Sequence, residues 1–171
     1  MMADPIALPS LEQLKQLFDY KDDTGELFWR INRTGGTKAG DVAGYISNLG
    51  YRVVKVKGRL YMAHRLIWKI RHGDIPDGAQ VDHINGSKAD NRLENLRLCS
   101  GSENCQNRAA NSRNKSGYKG VYWWKARQAW RADIEVDGRH SYLGTFPTPE
   151  LAHMAYCKAA AELHGEFARG A

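Results

Sequence analysis

The sequence predicts an α+β chain in two parts. An N-terminal β-rich segment leads into a strand–loop–strand–helix unit, and a separate three-stranded antiparallel sheet packed on one helix follows. Three observations carry this. Runs such as "YRVVKVKGRLYMA" alternate apolar and polar residues at the period of a strand. The stretch Val81–Arg108, "VDHINGSKADNRLENLRLCSGSENCQNR", holds more asparagine than a helix or strand accommodates, because that side chain competes for backbone partners. After the polar, basic "AANSRNKSG" the chain turns to aromatic strands and an alanine-rich helix.

Taken in order, Ser10 and Gln13 have capping-box spacing, and Leu11, Leu14, Leu17 and Phe18 share one helical face. "GELFWRI" is a strand after the Asp23–Gly25 turn. A hairpin turns at Lys57–Gly58, with Val54 and Val56 alternating against Lys55 and Lys57. Ala63, Leu66, Ile67 and Ile70 form the buried stripe of a helix that Gly73 can stop in the left-handed conformation. "AQVDH" is a short strand, "INGSKADNRLEN" a long loop and "LRLCS" a second strand. Ser100 and Glu103 cap a following helix. In the second part "KGVYWW", "AWRADIEV" and "RHSYLGTF" are strands, with a hairpin turn at Asp137–Gly138. Thr148, Pro149 and Glu150 start the last helix, whose apolar face is Ala152, Ala155, Tyr156, Ala159 and Leu163, and Gly165 ends it. These elements divide the chain into 1–61, 62–110, a linker at 111–116, and 117–171.

Composition narrows the partners. The 171 residues carry a net charge of +6 and a pI near 9.3, which favours a polyanion. The charge is concentrated: Arg30–Arg59 holds seven Lys/Arg and one acid, and Asn111–Arg131 holds six Lys/Arg and no acid. Cys99, Cys105 and Cys157 form no C-x-x-C pair, so neither a structural zinc nor a disulfide framework is expected. "MMADPIALPS" is no signal peptide, and no apolar run approaches the roughly 18 residues of a membrane span. The expected setting is soluble and cytoplasmic.

Two strands and a helix can bring Asp82, His83, Asn95 and Asn104 together. Such a group suits metal-assisted phosphodiester cleavage. A neutral imidazole takes a proton from water, a carboxylate and an amide oxygen hold one hard cation, and an asparagine between the strands orients the ring. Oxygen ligands favour Mg²⁺ or Mn²⁺. Asp82 and His83 are strand neighbours, so they share a site only if the strand ends or bulges there. Asn91, in "ADN", reads as a loop-shaping residue. His64 reads as a packed, hydrogen-bonded histidine, and His72 as a cation at a helix end.

Residues Ala63–Arg108, with "AHRLIW" ahead of "VDHINGSKADNRLENLRL", resemble the HNH endonucleases of the phage and intron-borne homing type, whose site is a ββα-metal finger. The resemblance implies that His83 is the general base, that Asn95 orients its ring, and that Asp82 and Asn104 bind the metal. Some family forms carry histidine where Asn104 stands, which bears on zinc more than on activity.

Residues Ser116–Ala168, with "YKGV", Trp130, "YLGTF" and the alanine-rich helix, resemble the plant Apetala/ethylene-response-factor DNA-binding domain. The resemblance implies that the sheet lies in the major groove and the helix packs behind it. Alternation puts Tyr122, Trp124, Arg131, Asp133, Glu135, His140 and Tyr142 on the outer face, and Trp130, Ala132, Ile134 and Val136 against the helix. Tyr122, Trp124, Glu135 and His140 stand where plant domains carry base-reading arginines, so the binding surface carries over and the plant target sequence does not. The expected DNA contacts are Lys119, Tyr122, Trp124, Lys125, Arg127, Arg131, Arg139 and Tyr142, with Lys55 and Lys57 adding backbone contacts. The expected protein is a metal-dependent, nicking DNA endonuclease of the homing type. It acts on double-stranded DNA as a monomer or weak homodimer, in the cytoplasm of a bacterial host if phage or mobile-element encoded. The alternative is a non-enzymatic DNA-binding regulator with an inactive finger.

Overall fold

The structure, a computed structural model, describes residues 7–106, 114–136 and 138–164. The chain divides into two compact units, 1–99 and 100–171.

The first unit opens with α1 (Leu11–Leu17), whose N-cap Ser10 accepts from the Gln13 N–H at 3.2 Å. The helix ends one residue earlier than its apolar spacing implies. Phe18 takes extended backbone and starts β1 (Phe18–Lys21), which pairs with β2 (Glu26–Trp29). The stretch "FDYK" lacked a strand signal of its own; its partner across the turn makes it one. Next come β3 (Tyr45–Ile46), β4 (Arg52–Val56) and β5 (Arg59–Met62), in the sheet order β3-β4-β5. The expected turn holds: Lys57 and Gly58 have φ of 47° and 83°, as a two-residue hairpin turn requires.

Helix α2 (Ala63–His72) buries Ala63, His64, Leu66 and Ile67, and carries Lys69, Arg71 and His72 in its last turn, where cations suit the helix dipole. Gly73 ends it with φ 89° and ψ −157°, a positive φ but not the left-handed helical conformation expected. The hairpin of β6 (Gln80–His83) and β7 (Leu96–Cys99) completes the unit, with the single turn Leu93–Asn95 just before β7. One core joins these parts: Leu14, Phe18, Leu27, Trp29, Val54, Leu66 and Ile67 pack with Val81 and Leu96 of the β6–β7 hairpin. The N-terminal segment therefore supports that hairpin directly.

The second unit begins with the short α3 (Gly101–Gln106). Its capping box is present: the Ser100 N–H donates to Glu103 Oε2 at 2.7 Å and the Glu103 N–H to Ser100 Oγ at 3.2 Å. Then β8 (Val121–Trp124), β9 (Ala129–Val136) and β10 (Arg139–Phe146) form an antiparallel sheet in the order β10-β9-β8, packed on α4 (Pro149–His164). The core uses Val121, Ala132 and Ile134 from the sheet, with Ala152, Tyr156 and Ala160 from the helix. Leu163, expected on the apolar face, is 51% exposed, because the buried helical row falls at Ala152, Tyr156 and Ala160. Gly120 must be glycine: a Cβ there would lie 2.3 Å from the Tyr156 ring and 2.5 Å from the Asp133 carbonyl oxygen. Asp137 and Gly165 lie outside the described residues. Among the described residues no helix is long and apolar enough to cross a membrane.

Candidate functional site

In the first unit, β6 and β7 pair in regular register through Asp82↔Arg97 and His83↔Leu96. There is no bulge; β6 simply ends at His83. The chain then turns back, with the Gly86 N–H donating to the His83 carbonyl at 2.9 Å.

The asparagines of the following loop divide the work. Asn95 accepts the Asn85 N–H at 2.9 Å and donates to the Asp90 carbonyl at 2.8 Å, so its side chain ties the start and the middle of the loop to its end. Asn85 donates to Asp90 Oδ2 at 2.9 Å and accepts the Ser87 N–H at 2.7 Å. Asn91, 1% exposed, places Oδ1 at 3.0 Å from His83 Nε2. This corrects the expected roles: Asn91 holds the imidazole, and Asn95 holds the loop. The reason is distance along the loop. Asn95 sits in the turn leading into β7, where its amide meets backbone, whereas the middle of the loop folds back over the ring.

Asn91 is itself held from far away. The Tyr20 hydroxyl donates to its carbonyl at 3.2 Å. The β1–β2 turn packs so closely that a Cβ on Gly25 would stand 2.4 Å from the Arg92 nitrogen and 2.7 Å from the Asn91 carbonyl carbon. Asp90 and Arg92 clamp the same segment at 2.8 and 2.9 Å. The Arg92 guanidinium, with help from Asn85, holds the Asp90 carboxyl well below the usual range.

Burial lowers the His83 pKa, opposed by the Asn91 hydrogen bond and the carboxylates of Asp82 and Asp90. The net effect favours a neutral imidazole. With Asn91 Oδ1 as acceptor, Nε2 carries the proton and Nδ1 the basic lone pair. Two further rings flank it. His64 on α2 meets His83 edge to face at 4.8 Å between ring centres, and Tyr51 stands 6.1 Å away. Lys88 lies 4.8 Å over the Tyr51 ring and donates to the Leu49 carbonyl at 3.1 Å, which ties the loop to the β3–β4 turn. Sequence reasoning passed over Tyr51 and Lys88. The basic residue within "INGSKAD" was the available signal for Lys88.

His64 is buried as expected, but its Nδ1 has no hydrogen-bond partner among the described residues. Burial, then the neighbouring His83 and Arg65, lowers its pKa from 6.5 to about 3. The unfolded chain therefore binds one more proton than the folded one between those two values, so stability falls as pH drops through that window. The slope is up to about 1.4 kcal/mol per pH unit. His64→Phe keeps a ring and removes the titration, so its urea midpoint is expected to fall less steeply from about pH 6 to about pH 4 than that of the unaltered protein. Parallel pH profiles would show that His64 does not cause the acid sensitivity.

Asp82 is 8% exposed, and Arg97 donates to its Oδ2 through Nε and Nη2, both at 3.2 Å. Its neighbour across the ladder thus orients the carboxylate. Asn104 belongs to the second unit, half-buried on α3, with its N–H donating to the Ser100 carbonyl at 3.0 Å. Lys55 is exposed on β4 and Lys57 exposed in the hairpin turn, on the alternation expected.

On the second unit's sheet, Tyr122, Trp124, Arg131, Asp133 and Tyr142 share the face away from α4. Trp123 falls on the other side, edge to face with Trp130 at 5.3 Å. Arg127 stacks 4.9 Å over Trp124, and Lys125, Arg127 and Arg139 are exposed. Glu135 faces His140 at 3.6 Å at the far end of the same face. Lys119 is half-buried.

Comparison with known proteins agrees with both halves. A family model described as HNH endonuclease matches residues 61–106, and one described as AP2 domain matches residues 116–166. "Protein 3.8" of Escherichia phage T7 is 36% identical over 106 residues, 62% of this chain and 87% of that protein. "Uncharacterized HNH endonuclease L560" of Acanthamoeba polyphaga mimivirus is 34% identical over 125 residues, 72% of this chain and 64% of that protein. A solved structure concerned with DNA binding and cleavage by the HNH homing endonuclease I-HmuI aligns over 88% of this chain and 81% of its own, with 20% identity and a TM-score of 0.44.

Proposed function

Because the chain belongs to the HNH endonuclease family and is a DNA endonuclease with an AP2 domain for DNA binding, we propose that His83 is the general base of a metal-dependent cleavage of one strand of double-stranded DNA. The observation that carries this reading is the buried His83 ring, kept neutral by its burial and oriented by Asn91. A neutral imidazole with Nε2–H engaged accepts a proton from water at Nδ1. Asn91 fixes the ring and its tautomer, and His64 and Tyr51 limit its rotation and keep bulk water from its faces. Lys88, on the catalytic loop, supplies positive charge for a backbone phosphate.

Asp82 and Asn104 are the proposed metal ligands. A carboxylate and an amide are oxygen donors, which fits Mg²⁺ or Mn²⁺ and not a zinc site. When bound, the cation offsets charge on the scissile phosphate and the departing oxygen. Arg97 keeps the Asp82 carboxylate in one orientation while it serves that role.

Targeting is assigned to the second unit's sheet through Tyr122, Trp124, Lys125, Arg127, Arg131 and Tyr142, with Lys119 and Arg139 at its margin. Lys55 and Lys57 add backbone contacts from the first unit. One base and one cation serve one strand, so a monomer of this homing-type enzyme nicks. The host cell's cytoplasm, where the DNA is, is the proposed site of action.

The test is relaxation of supercoiled plasmid by the full-length chain. Nicking with Mg²⁺ or Mn²⁺, none in chelator, and an unchanged melting temperature in chelator are expected. DNA binding with no cleavage under any metal would favour the regulator with an inactive finger. A large fall of melting temperature in chelator would point to a structural metal instead.

A further inference from the structure

On the second unit's outer sheet face, several side chains converge on one guanidinium. Arg131 stands directly across from Tyr122 in the β8–β9 register, and Asp133 across from Tyr142 in the β9–β10 register. Arg131 Nε donates to Asp133 Oδ1 at 2.9 Å, and the Tyr122 hydroxyl donates to Asp133 Oδ2. The guanidinium lies 4.8 Å from the Tyr142 ring centre, 5.2 Å from Trp124 and 5.7 Å from Tyr122. Asp133 occupies the Nε edge, while the two Nη groups make no hydrogen bond among the described residues.

An arginine meant for a phosphate needs no such setting, since a flexible exposed lysine makes that contact. Here the carboxylate behind and the aromatic rings beside fix the plane and direction of the fork. The rotamer freedom that an exposed arginine would lose on binding is already lost on folding. A planar fork with donors only matches a surface that presents two acceptors side by side. In a DNA major groove that surface is the O6/N7 edge of guanine; adenine offers one acceptor and one donor there. A three-stranded sheet reaches such an edge when it lies in the groove.

We propose that Arg131 is the specificity-determining residue of this unit, reading one guanine of duplex DNA, with Asp133 as its positioning residue. This rests on the reading of the chain as a DNA endonuclease targeted by this sheet. It places the reader at a position other than Tyr122, Trp124, Glu135 and His140, where plant domains carry their arginines.

The test selects bound duplexes from a randomised library with the full-length chain in chelator, so that nothing is cut. The unaltered protein is expected to return sites with one nearly invariant guanine. Arg131→Lys keeps the charge, so the salt dependence of binding should persist, while discrimination at that one position falls by about 10- to 100-fold. Asp133→Asn should weaken preference at the same position and no other. Selected sites without a guanine-defined position, or an undiminished guanine in Arg131→Lys, would overturn the proposal. Full guanine preference in Asp133→Asn would remove the positioning role alone. If single-stranded RNA outcompetes duplex DNA for the unaltered protein, the failure lies with the endonuclease reading itself.

Discussion

His83→Ala is expected to lower the single-turnover cleavage rate by about 10²- to 10⁴-fold, the usual contribution of a general base. The affinity for duplex DNA should barely move. His83 is 4% exposed, so it has little surface to offer a phosphate, and binding is dominated by Lys and Arg contacts elsewhere. The loss should appear in the rate at saturating enzyme and not in the concentration needed to saturate. Removing the ring also strips Asn91 Oδ1 of its partner and opens space beside His64, so melting curves must accompany the kinetics. A variant that is folded, binds normally and cuts at the original rate would remove His83 from the mechanism.

The second large effect separates two asparagines that the sequence does not distinguish. Asn95→Ala breaks two partly buried hydrogen bonds and leaves the Asn85 N–H and the Asp90 carbonyl without their partner, so a folding loss of about 2 kcal/mol is expected. Among the described residues, Asn91→Ala touches a single side-chain bond, to the His83 ring, and also removes a buried amide nitrogen that has no partner. Its folding cost should be smaller, because a single buried bond is lost together with an amide nitrogen that was itself unsatisfied. Its catalytic cost should be larger: an imidazole that has lost the Asn91 bond is less firmly oriented, and orientation alone accounts for orders of magnitude in rate. Urea titrations and single-turnover rates on both variants decide the matter. If Asn95→Ala is the stable, slow variant and Asn91→Ala the unstable, fast one, the roles are the reverse of those read from the geometry.

The features legible in the sequence are those set by neighbours a few residues apart. The Ser10 cap, the reciprocal Ser100–Glu103 box and the Lys57–Gly58 turn are contacts within one turn of chain. The alternation of Val54 and Val56 with Lys55 and Lys57 is local in the same sense. So is the outer face of the second sheet, where a period of two suffices to bring Tyr122, Trp124, Arg131 and Tyr142 to one side. Motif content was legible too, since a histidine at a strand end before an asparagine-rich loop narrows the chemistry before any fold is known.

What the sequence determined by itself is therefore most of the element pattern and the two-part α+β organisation, with His83 as the histidine it proposes for the site. Only the tertiary structure decided that Phe18 leaves its helix to pair in a hairpin, that Arg131 is locked by Asp133 and three rings, and that Asn91 rather than Asn95 faces His83. The physical reason is clearest for Asn91. The loop's path over the ring is held by Tyr20, which is 71 residues away along the chain, and by the close approach of Gly25 to Asn91 and Arg92. Neither contact leaves a trace in the spacing of the motif, because both depend on a separate hairpin docking through a shared core.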